Sequence, residues 1–336
     1  MRKFHNDLHT QEQLAHRIVR RVTIRGTILT ALGAVLWAFS SACGQFLMQK
    51  SNDPFPAEWL ASTRILLAGV LLTVIGSIHN RSALKNIFKS GRDVLTLVLY
   101  GVLGFMLAQY SFLIAIRASN AATATVLQYT APIMIVAVVC IGGRRAPRFT
   151  ETISILLAVS GVFLLATHGD PSSLAIKKEA LILGLLAAVG MVFFTLLPAK
   201  IIPKYGSITV TGVGMIFGGL AMLPLARPWN YRVHFDLLSV LAYIGLAVVG
   251  TTIGYTLYMQ GVSDIGSAKA SLIASIEPVT SALFAAALGT KFGAADIVGM
   301  SFIVATIFIL SAPPRKLHIS FRPHRGEKAR KKGETE

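Results

Sequence analysis

The sequence predicts an all-α membrane protein with ten transmembrane helices, arranged as two inverted five-helix repeats. Three observations lead to this prediction: long apolar runs, an uneven distribution of basic residues, and an internal similarity between two distant stretches. Of the 336 residues, 54% are hydrophobic and 14% are charged. An average soluble domain has roughly 25% charged residues. The composition therefore excludes a water-soluble enzyme.

Ten runs are long and apolar enough to cross a bilayer, whose hydrocarbon core of ~30 Å needs about 20 helical residues. Backbone amides have no water partner in lipid, so these runs must be helices. The ~10-residue alternation that is typical of a β-barrel does not occur. The predicted spans are residues 26–48, 58–78, 94–116, 120–141, 152–168, 180–199, 207–225, 237–259, 267–288 and 294–312.

Basic residues lie mostly on one side of this layout. Of the 32 Lys and Arg residues, 24 fall on the side of the N-terminal segment (residues 1–25) and the basic tail (residues 313–336). Seven fall on the other side, and Arg64 lies within the second span. Because cytoplasmic loops carry an excess of Lys and Arg, we expect a multi-pass protein of the cell membrane with both termini in the cytoplasm.

The net charge of +17 then reflects orientation in a membrane. Membrane lipid is the expected polyanionic surface, and no nucleic-acid partner is expected. The N-terminal segment is expected either to lie as a helix on the cytoplasmic leaflet or to be disordered. The tail is expected to be disordered.

Two stretches of 29 residues are similar to each other without a gap. Residues 104–132 and 250–278 each contain the end of an apolar span, a short polar turn, a run of small residues and a proline. Pro132 aligns with Pro278 at an offset of 146 residues, which relates spans three and four to spans eight and nine. Chance similarity between alanine-rich helices is the alternative interpretation.

The repeat divides the chain into two five-span units, residues 26–168 and 179–312. Because five is an odd number, the second unit enters the membrane from the opposite face. Inverted repeats of this kind are typical of secondary transporters, in which two halves rock and expose a site at the midplane alternately to each side.

Several short motifs occur in order across the two halves. They are Trp37 in span one, Arg64 in span two, Gly101-Val102-Leu103-Gly104 and Ala118-Ser119-Asn120-Ala121 around span three, Ala131-Pro132 in span four and Glu277-Pro278 in span nine. In these motifs the chain resembles the EamA-type family of the drug/metabolite transporter superfamily, over nearly all of residues 26–312. The resemblance implies a ten-helix bundle that moves small metabolites or drugs, often outward.

Glu277 is the sharpest candidate for chemistry, because it is the one carboxylate deep within a predicted span. A charge at the bilayer centre costs about 2.5–3.5 kcal/mol on insertion scales. The side chain must therefore face a cavity, have a partner or carry a proton. If transport is coupled to protons through a side chain, Glu277 is nearly the only choice. The alternative is a structural acid that pairs with Arg64 or with backbone freed by Pro278.

Pro132 and Pro278 predict a break or kink near the middle of spans four and nine, because proline removes a donor and frees a carbonyl. Such carbonyls either bind substrate or a cation, or the kinks serve packing alone. Further candidates for substrate contact are polar and aromatic residues within spans: Trp37, Gln45, Gln109, Tyr110, Gln128, Tyr129, Tyr255 and Tyr258. Packing against other helices is the alternative for each aromatic ring.

Arg64 lies about one turn inside span two. It could reach the membrane surface, neutralise an acid or hold an anionic substrate, and a structural role is the favoured interpretation.

The function expected from these residues is a secondary transporter of small molecules, an exporter, working by alternating access and with proton coupling at Glu277 as an open possibility. An uncoupled facilitator and a membrane scaffold or sensor that transports nothing are the alternatives. No nucleotide-binding or metalloenzyme motif occurs, so neither catalysis nor a cofactor is expected. The sequence does not indicate the oligomeric state.

Overall fold

The computed structural model of the chain describes residues 2–50, 53–119, 121–167, 177–287 and 293–311. All regular elements in these ranges are helices. The predicted basic tail, residues 313–336, lies outside the described residues. The α-helices are α1 (Arg2–Met48), α2 (Ala57–His79), α3 (Arg81–Ile87), α4 (Gly91–Leu99), α5 (Leu107–Ala118), α6 (Ala121–Gln128), α7 (Ala131–Gly142), α8 (Phe149–Thr167), α9 (Lys178–Leu196), α10 (Ile202–Tyr205), α11 (Ser207–Ala226), α12 (Leu237–Ile244), α13 (Tyr255–Ile265), α14 (Ser267–Ile273), α15 (Ile276–Ala287) and α16 (Ala294–Ser311).

Six helical stretches in the described part of the chain are long and apolar enough to cross a membrane. They coincide with predicted spans one, two, three, six, seven and eight. The predicted fifth and tenth spans fall on α8 and α16, while the fourth and ninth are each divided between two short helices. The six stretches are Arg17–Met48, Ala57–His79, Gly91–Ala118, Lys178–Lys200, Ser207–Ala226 and Leu237–Ile265.

Helix α1 begins well before the first predicted span. It runs without interruption from Arg2 to Met48, so the predicted boundary at residue 26 falls inside a continuous helix. The N-terminal segment is therefore helical and continuous with the first span, and its position on the cytoplasmic leaflet stays a prediction.

The predicted fourth and ninth spans are broken rather than kinked. Helix α6 ends at Gln128 and α7 begins at Ala131, with Pro132 in its first turn. Helix α14 ends at Ile273 and α15 begins at Ile276. Because proline has no N–H group and clashes with the preceding turn, it is tolerated at the start of a helix, where that N–H has no partner anyway. A new helix therefore begins just before each proline.

The third and eighth predicted spans each contain a wide, π-helical stretch that the sequence did not indicate. It covers Tyr100–Met106 between α4 and α5, and Gly245–Gly254 between α12 and α13. In the second stretch the hydroxyls of Thr251 and Thr252 donate to carbonyls five residues earlier, at 2.7 and 2.9 Å. Such bonds match the i→i+5 spacing of the π-helix, and these helices often occur at functional sites.

Helices of the first half pack mainly on helices of the second half. Helix α2 packs along α11, and α8 along α16. Helix α1 packs along α13 and the π-helix before it, whereas α9 packs along α5 and the π-helix before that. Helix α15 contacts α1, and its counterpart α7 contacts α9. If each helix is replaced by the corresponding helix of the other half, the same helix pairs result.

Small residues allow these helices to approach closely. A Cβ atom at Gly250 would lie 2.0 Å from the Cβ of Ser40 on α1, and one at Gly190 would lie 2.4 Å from the backbone nitrogen of Ala108 on α5. In lipid, where the hydrophobic effect does not join helices, close packing of this kind is a main source of association. The outer surface is apolar, as expected for contact with hydrocarbon, with exposed side chains that include Val70, Leu156, Leu220 and Leu283.

Candidate functional site

A small cavity lies between the two halves. The space that the centres of water molecules can occupy is about 20 Å³, which is room for about one water. Its walls come from α1, α2, α5, α6, α9, α13 and α15, so elements of both halves enclose it. The lining residues are Trp37, Ser40, Ser41, Arg64, Gln109, Phe112, Gln128, Met191, Tyr255 and Glu277.

Five of the predicted contact residues line this cavity, together with Arg64. They are Trp37, Gln109, Gln128, Tyr255 and Glu277. Arg64 is buried and does not reach the membrane surface. The break before Pro278 brings Glu277 to the first turn of α15, where its side chain faces the cavity.

One chain of hydrogen bonds crosses the cavity wall from the first half to the second. Nη2 of Arg64 donates to the side-chain oxygen of Gln109, and the amide nitrogen of Gln109 donates to the hydroxyl of Tyr255. All three side chains are buried. Gln109 and Tyr255 are 146 residues apart, which is the offset of the internal similarity.

A second group of hydrogen bonds joins the two broken helices. Tyr129, between α6 and α7, donates its hydroxyl to the backbone carbonyl of Ala274, between α14 and α15. The same hydroxyl lies 2.8 Å from Oε2 of Glu277. Ala274 is four residues before Pro278, so its carbonyl is the one freed by that proline, and Tyr129 and the amide of Glu277 (2.9 Å) occupy it here. In the described part of the chain, Glu277 does not pair with Arg64, which was the alternative partner.

Aromatic rings form the wall beside Trp37. The Trp37 ring centroid lies 4.7 Å from those of Tyr255 and Tyr258, and Phe194 packs against both tyrosines. Tyr258 is fully enclosed, and its hydroxyl lies 3.3 Å from that of Thr195. In this conformation Tyr258 packs against other rings, whereas Tyr255 also faces the cavity.

Two predicted contact residues lie elsewhere. The side chain of Gln45 accepts a hydrogen bond of 3.2 Å from the backbone of Ala121, at the start of α6. Tyr110 packs against an apolar cluster that includes Leu113 and Ile114. Both side chains are only partly buried, and neither is part of the cavity lining in this structure.

Four lining residues were not predicted: Ser40, Ser41, Phe112 and Met191. Ser40 and Ser41 lie three and four residues after Trp37, which places them on the same face of α1. That spacing could have identified both serines as lining residues from the sequence. Met191 could not be identified in this way, because the sequence does not show which way an apolar residue faces in an apolar helix. In the described part of the chain, no cluster of His, Cys, Asp and Glu could hold a metal ion.

Ion pairs join the two halves at both ends of the molecule. At the end that holds Arg25, its guanidinium makes two bonds of 2.8 Å to Asp264, which is buried. At the opposite end, Nζ of Lys50 lies 2.9 Å from Asp236. Hydrogen bonds from Ser239 and from the Lys50 ammonium hold the pKa of Asp236 well below its usual range, so this carboxylate stays ionised in mild acid.

Comparison with known proteins agrees with this architecture. The sequence matches the EamA-like transporter family over residues 24–167 and 178–312. The inner membrane transporter YicL of Salmonella typhimurium, whose name describes it as uncharacterized, is 35% identical over 88% of this chain and 97% of that protein. An uncharacterized transporter of Clostridium kluyveri is 23% identical over 83% of this chain and 91% of that protein.

A solved crystal structure with 16% sequence identity has the same fold. It superposes with a TM-score of 0.65 and covers 85% of this chain and 96% of its own. The likeness at this identity concerns the fold alone. The family match covers both halves and the YicL relative is similar over nearly its whole length. The chain is therefore a multi-pass membrane protein and belongs to the EamA-like transporter family.

Proposed function

We propose that the protein is a secondary transporter that exports small metabolites or drugs by alternating access, with proton coupling at Glu277. One observation carries this proposal: a small cavity between the halves is lined by a buried carboxyl, and that carboxyl is bonded to the broken helix of the other half. The proposal includes ten transmembrane helices in two inverted repeats, with both termini in the cytoplasm.

Corresponding features of the two halves support the repeat. Each half has a π-helix in its third span and a broken fourth span. The helices before the π-helices begin in the same way, with Ser90 capping α4 and Asp236 capping α12, 146 residues apart. The principal helix pairs are also unchanged when the halves are exchanged. Chance similarity between alanine-rich sequences does not explain shared breaks and caps.

Alternating access follows from the positions of the ion pairs. Arg25 with Asp264 holds α1 to α13 at one end, and Lys50 with Asp236 holds α1 to the start of α12 at the other. The cavity lies between them with room for about one water. Asp93 with Lys204 is a further pair between the halves at the Arg25 end, and Asp53 with His234 is one at the Lys50 end. Opening one end requires that the ion pairs at that end separate while those at the other end remain.

Hydrogen-bond counting supports proton coupling. The Tyr129 hydroxyl has a single hydrogen but two acceptors, the Ala274 carbonyl and Glu277. A proton on Glu277 resolves this competition, because the carboxyl then donates to the Tyr129 oxygen while Tyr129 donates to Ala274. When Glu277 is ionised, it attracts the Tyr129 hydrogen, and Tyr129 then donates to Glu277 in place of the Ala274 carbonyl. Protonation thereby controls which group of the second half accepts the Tyr129 hydrogen.

Transport assays of the variant Glu277→Gln test this proposal. Proteoliposomes are loaded with a metabolite extract, and the released compounds are followed by mass spectrometry with and without a pH gradient. We expect the wild-type protein to release a specific set at a rate that depends on the gradient. Glu277→Gln should abolish the gradient dependence, because glutamine cannot exchange a proton. Glu179→Gln, which changes an exposed carboxyl at the start of α9, is the matched control.

Four outcomes contradict parts of the proposal. Wild-type release that ignores the pH gradient favours an uncoupled facilitator. Gradient dependence that persists in Glu277→Gln removes this residue from the coupling step. Absence of release of every compound, from a protein that is shown to be folded, favours a scaffold or sensor. Uptake into right-side-out vesicles in preference to inverted ones contradicts export.

A further inference from the structure

Three buried hydrogen-bond donors at the cavity have no partner among the described residues. They are Nε1 of Trp37, Nε of Arg64 and Nε2 of Gln128, and their side chains are 5%, 3% and 6% exposed. All three residues line the cavity. A buried donor without an acceptor is unfavourable. The cavity wall is therefore short of acceptors, and a ligand that supplies acceptors complements it.

The charge of the cavity is also unbalanced. The guanidinium of Arg64 is bonded to the neutral side chain of Gln109, and within the described residues no Asp or Glu oxygen lies within 4.0 Å of it. Arginine stays protonated in proteins. Under the proposed function Glu277 carries a proton in this conformation, so it supplies no negative charge. An anionic ligand would neutralise the one cation of this lining.

A single water satisfies only part of this requirement. The cavity has room for about one water, which could accept hydrogen bonds but could not neutralise Arg64. A carboxylate has two oxygens and a full negative charge, and its geometry matches the planar fork of donors on a guanidinium. The remaining walls include Phe112, Met191 and the ring of Tyr255, which suit an apolar body attached to that carboxylate.

We propose that this cavity, when it widens, binds the carboxylate of a small organic acid with an apolar body. Arg64 is the charge partner, and Trp37 and Gln128 supply the neutral donors. This inference rests on the proposed transport function and names the substrate class of the same site. It also assigns Arg64 a binding role in place of the structural role that its sequence position favoured.

This site predicts that binding of the acid anion depends on protonation of Glu277. An ionised Glu277 would offer Arg64 a competing negative charge across the same cavity, whereas a protonated Glu277 leaves that cation for the ligand. Binding of the acid anion should therefore strengthen as pH falls. The variant Glu277→Gln, which is permanently neutral, should bind the anion at all pH values as the protonated wild-type protein does.

Ligand-induced thermal stabilisation tests binding independently of transport. Benzoate and its neutral isostere benzamide are compared at millimolar concentration, on the wild-type protein and on Arg64→Gln, Arg64→Lys and Arg117→Gln. We expect benzoate to stabilise the wild-type protein and benzamide to have no effect. Arg64→Gln should weaken benzoate binding about tenfold or more, and Arg64→Lys should keep part of it because the charge remains. Arg117→Gln changes an exposed arginine outside the cavity and should have no effect.

Equal stabilisation by benzoate and benzamide would overturn the inference, as would benzoate binding that survives Arg64→Gln. No stabilisation of the wild-type protein by benzoate would overturn it as well. The metabolite-release assay separates this failure from failure of the transport proposal. Release of mainly cationic or neutral compounds contradicts the carboxylate site but leaves transport intact, whereas release of mainly carboxylates that is lost in Arg64→Gln supports both.

Discussion

Among single residues, Tyr129 has the central position, because its hydroxyl joins both broken helices. It contacts the carbonyl of Ala274 and the carboxyl of Glu277 from between α6 and α7. The side chain is buried, so water cannot replace these bonds. Removing the hydroxyl takes one of two donors from the Ala274 carbonyl and leaves the buried carboxyl of Glu277 without its partner.

The variant Tyr129→Phe should therefore lower the free energy of unfolding by about 1–3 kcal/mol, the usual effect of leaving buried groups unpaired. It should also weaken the dependence of transport on the pH gradient, because protonation of Glu277 would no longer control a contact between the halves. Thermal unfolding in detergent and the release assay measure the two effects. Tyr231→Phe, at an exposed tyrosine, is the control. Unchanged gradient dependence in Tyr129→Phe would contradict the switch.

Glu277 and Tyr129 could be selected from the sequence for a physical reason. Polar groups are costly within an apolar span, so each one stands out against its neighbours. The partner of each could not be selected in the same way. Arg64 was one alternative partner of Glu277, yet it is bonded to Gln109, because partners depend on how helices are rotated against each other. Apolar stretches contain little information about that rotation.

At the scale of helices, the close approach of α1 to the second π-helix determines the shape of the cavity. Ser40 on α1 faces Gly250, and its hydroxyl donates to the carbonyl of Leu246 at 3.0 Å. An added methyl group at residue 250 would lie 2.0 Å from the Ser40 Cβ. The two elements would then have to separate along the wall that contains Trp37.

Gly250→Ala should consequently lower the free energy of unfolding by about 1–3 kcal/mol, as is usual for overpacking of a tight contact. Gly142→Ala is a matched control, because a Cβ at that glycine meets no atom within 4 Å. That control should be neutral or slightly stabilising, since alanine is a better helix former than glycine. Thermal unfolding of both variants measures the difference, and equal stability would contradict the tight packing of α1 on the π-helix.

The existence of most helices was predictable, but their interruptions were predictable only in part. Proline marked the breaks in the fourth and ninth spans, because its missing N–H group is a local property of the sequence. No such local mark identifies the π-helices at Tyr100–Met106 and Gly245–Gly254, which contain ordinary apolar residues and glycine. Their wider turns allow close contact with neighbouring helices, a tertiary property that a single span does not reveal.

At the scale of the whole molecule, the ion pairs at the two ends should set the balance between open states. Asp264→Asn removes the partner of Arg25, and Asp236→Asn removes the partner of Lys50. We expect each change to favour opening at its own end. Exposed ion pairs contribute little to stability, so we expect a small shift at the Lys50 end. Arg25 makes two bonds to an Asp264 side chain that is only 5% exposed, so the effect should be larger at that end.

Cysteine labelling measures these shifts. Ser41→Cys places a thiol in the cavity wall, in a protein whose Cys43 and Cys140 are replaced by serine. A membrane-impermeant reagent applied from one side should label it faster when the ion pair on that side is removed. Glu151→Gln is the control, because it breaks the ion pair with Arg145 within one half. Equal labelling from both sides in every variant would contradict alternating access.

The hydrogen bond between Gln109 and Tyr255 has a geometric consequence. Its two residues are 146 positions apart, so under the proposed repeat they occupy the same place in each half and lie beside the pseudo-symmetry axis. An operation that exchanges the two halves maps this pair onto itself. In a cycle that interchanges inward-open and outward-open shapes, atoms near such an axis move least. This bond is thus a natural pivot, around which the rest of the molecule turns while its own length stays constant.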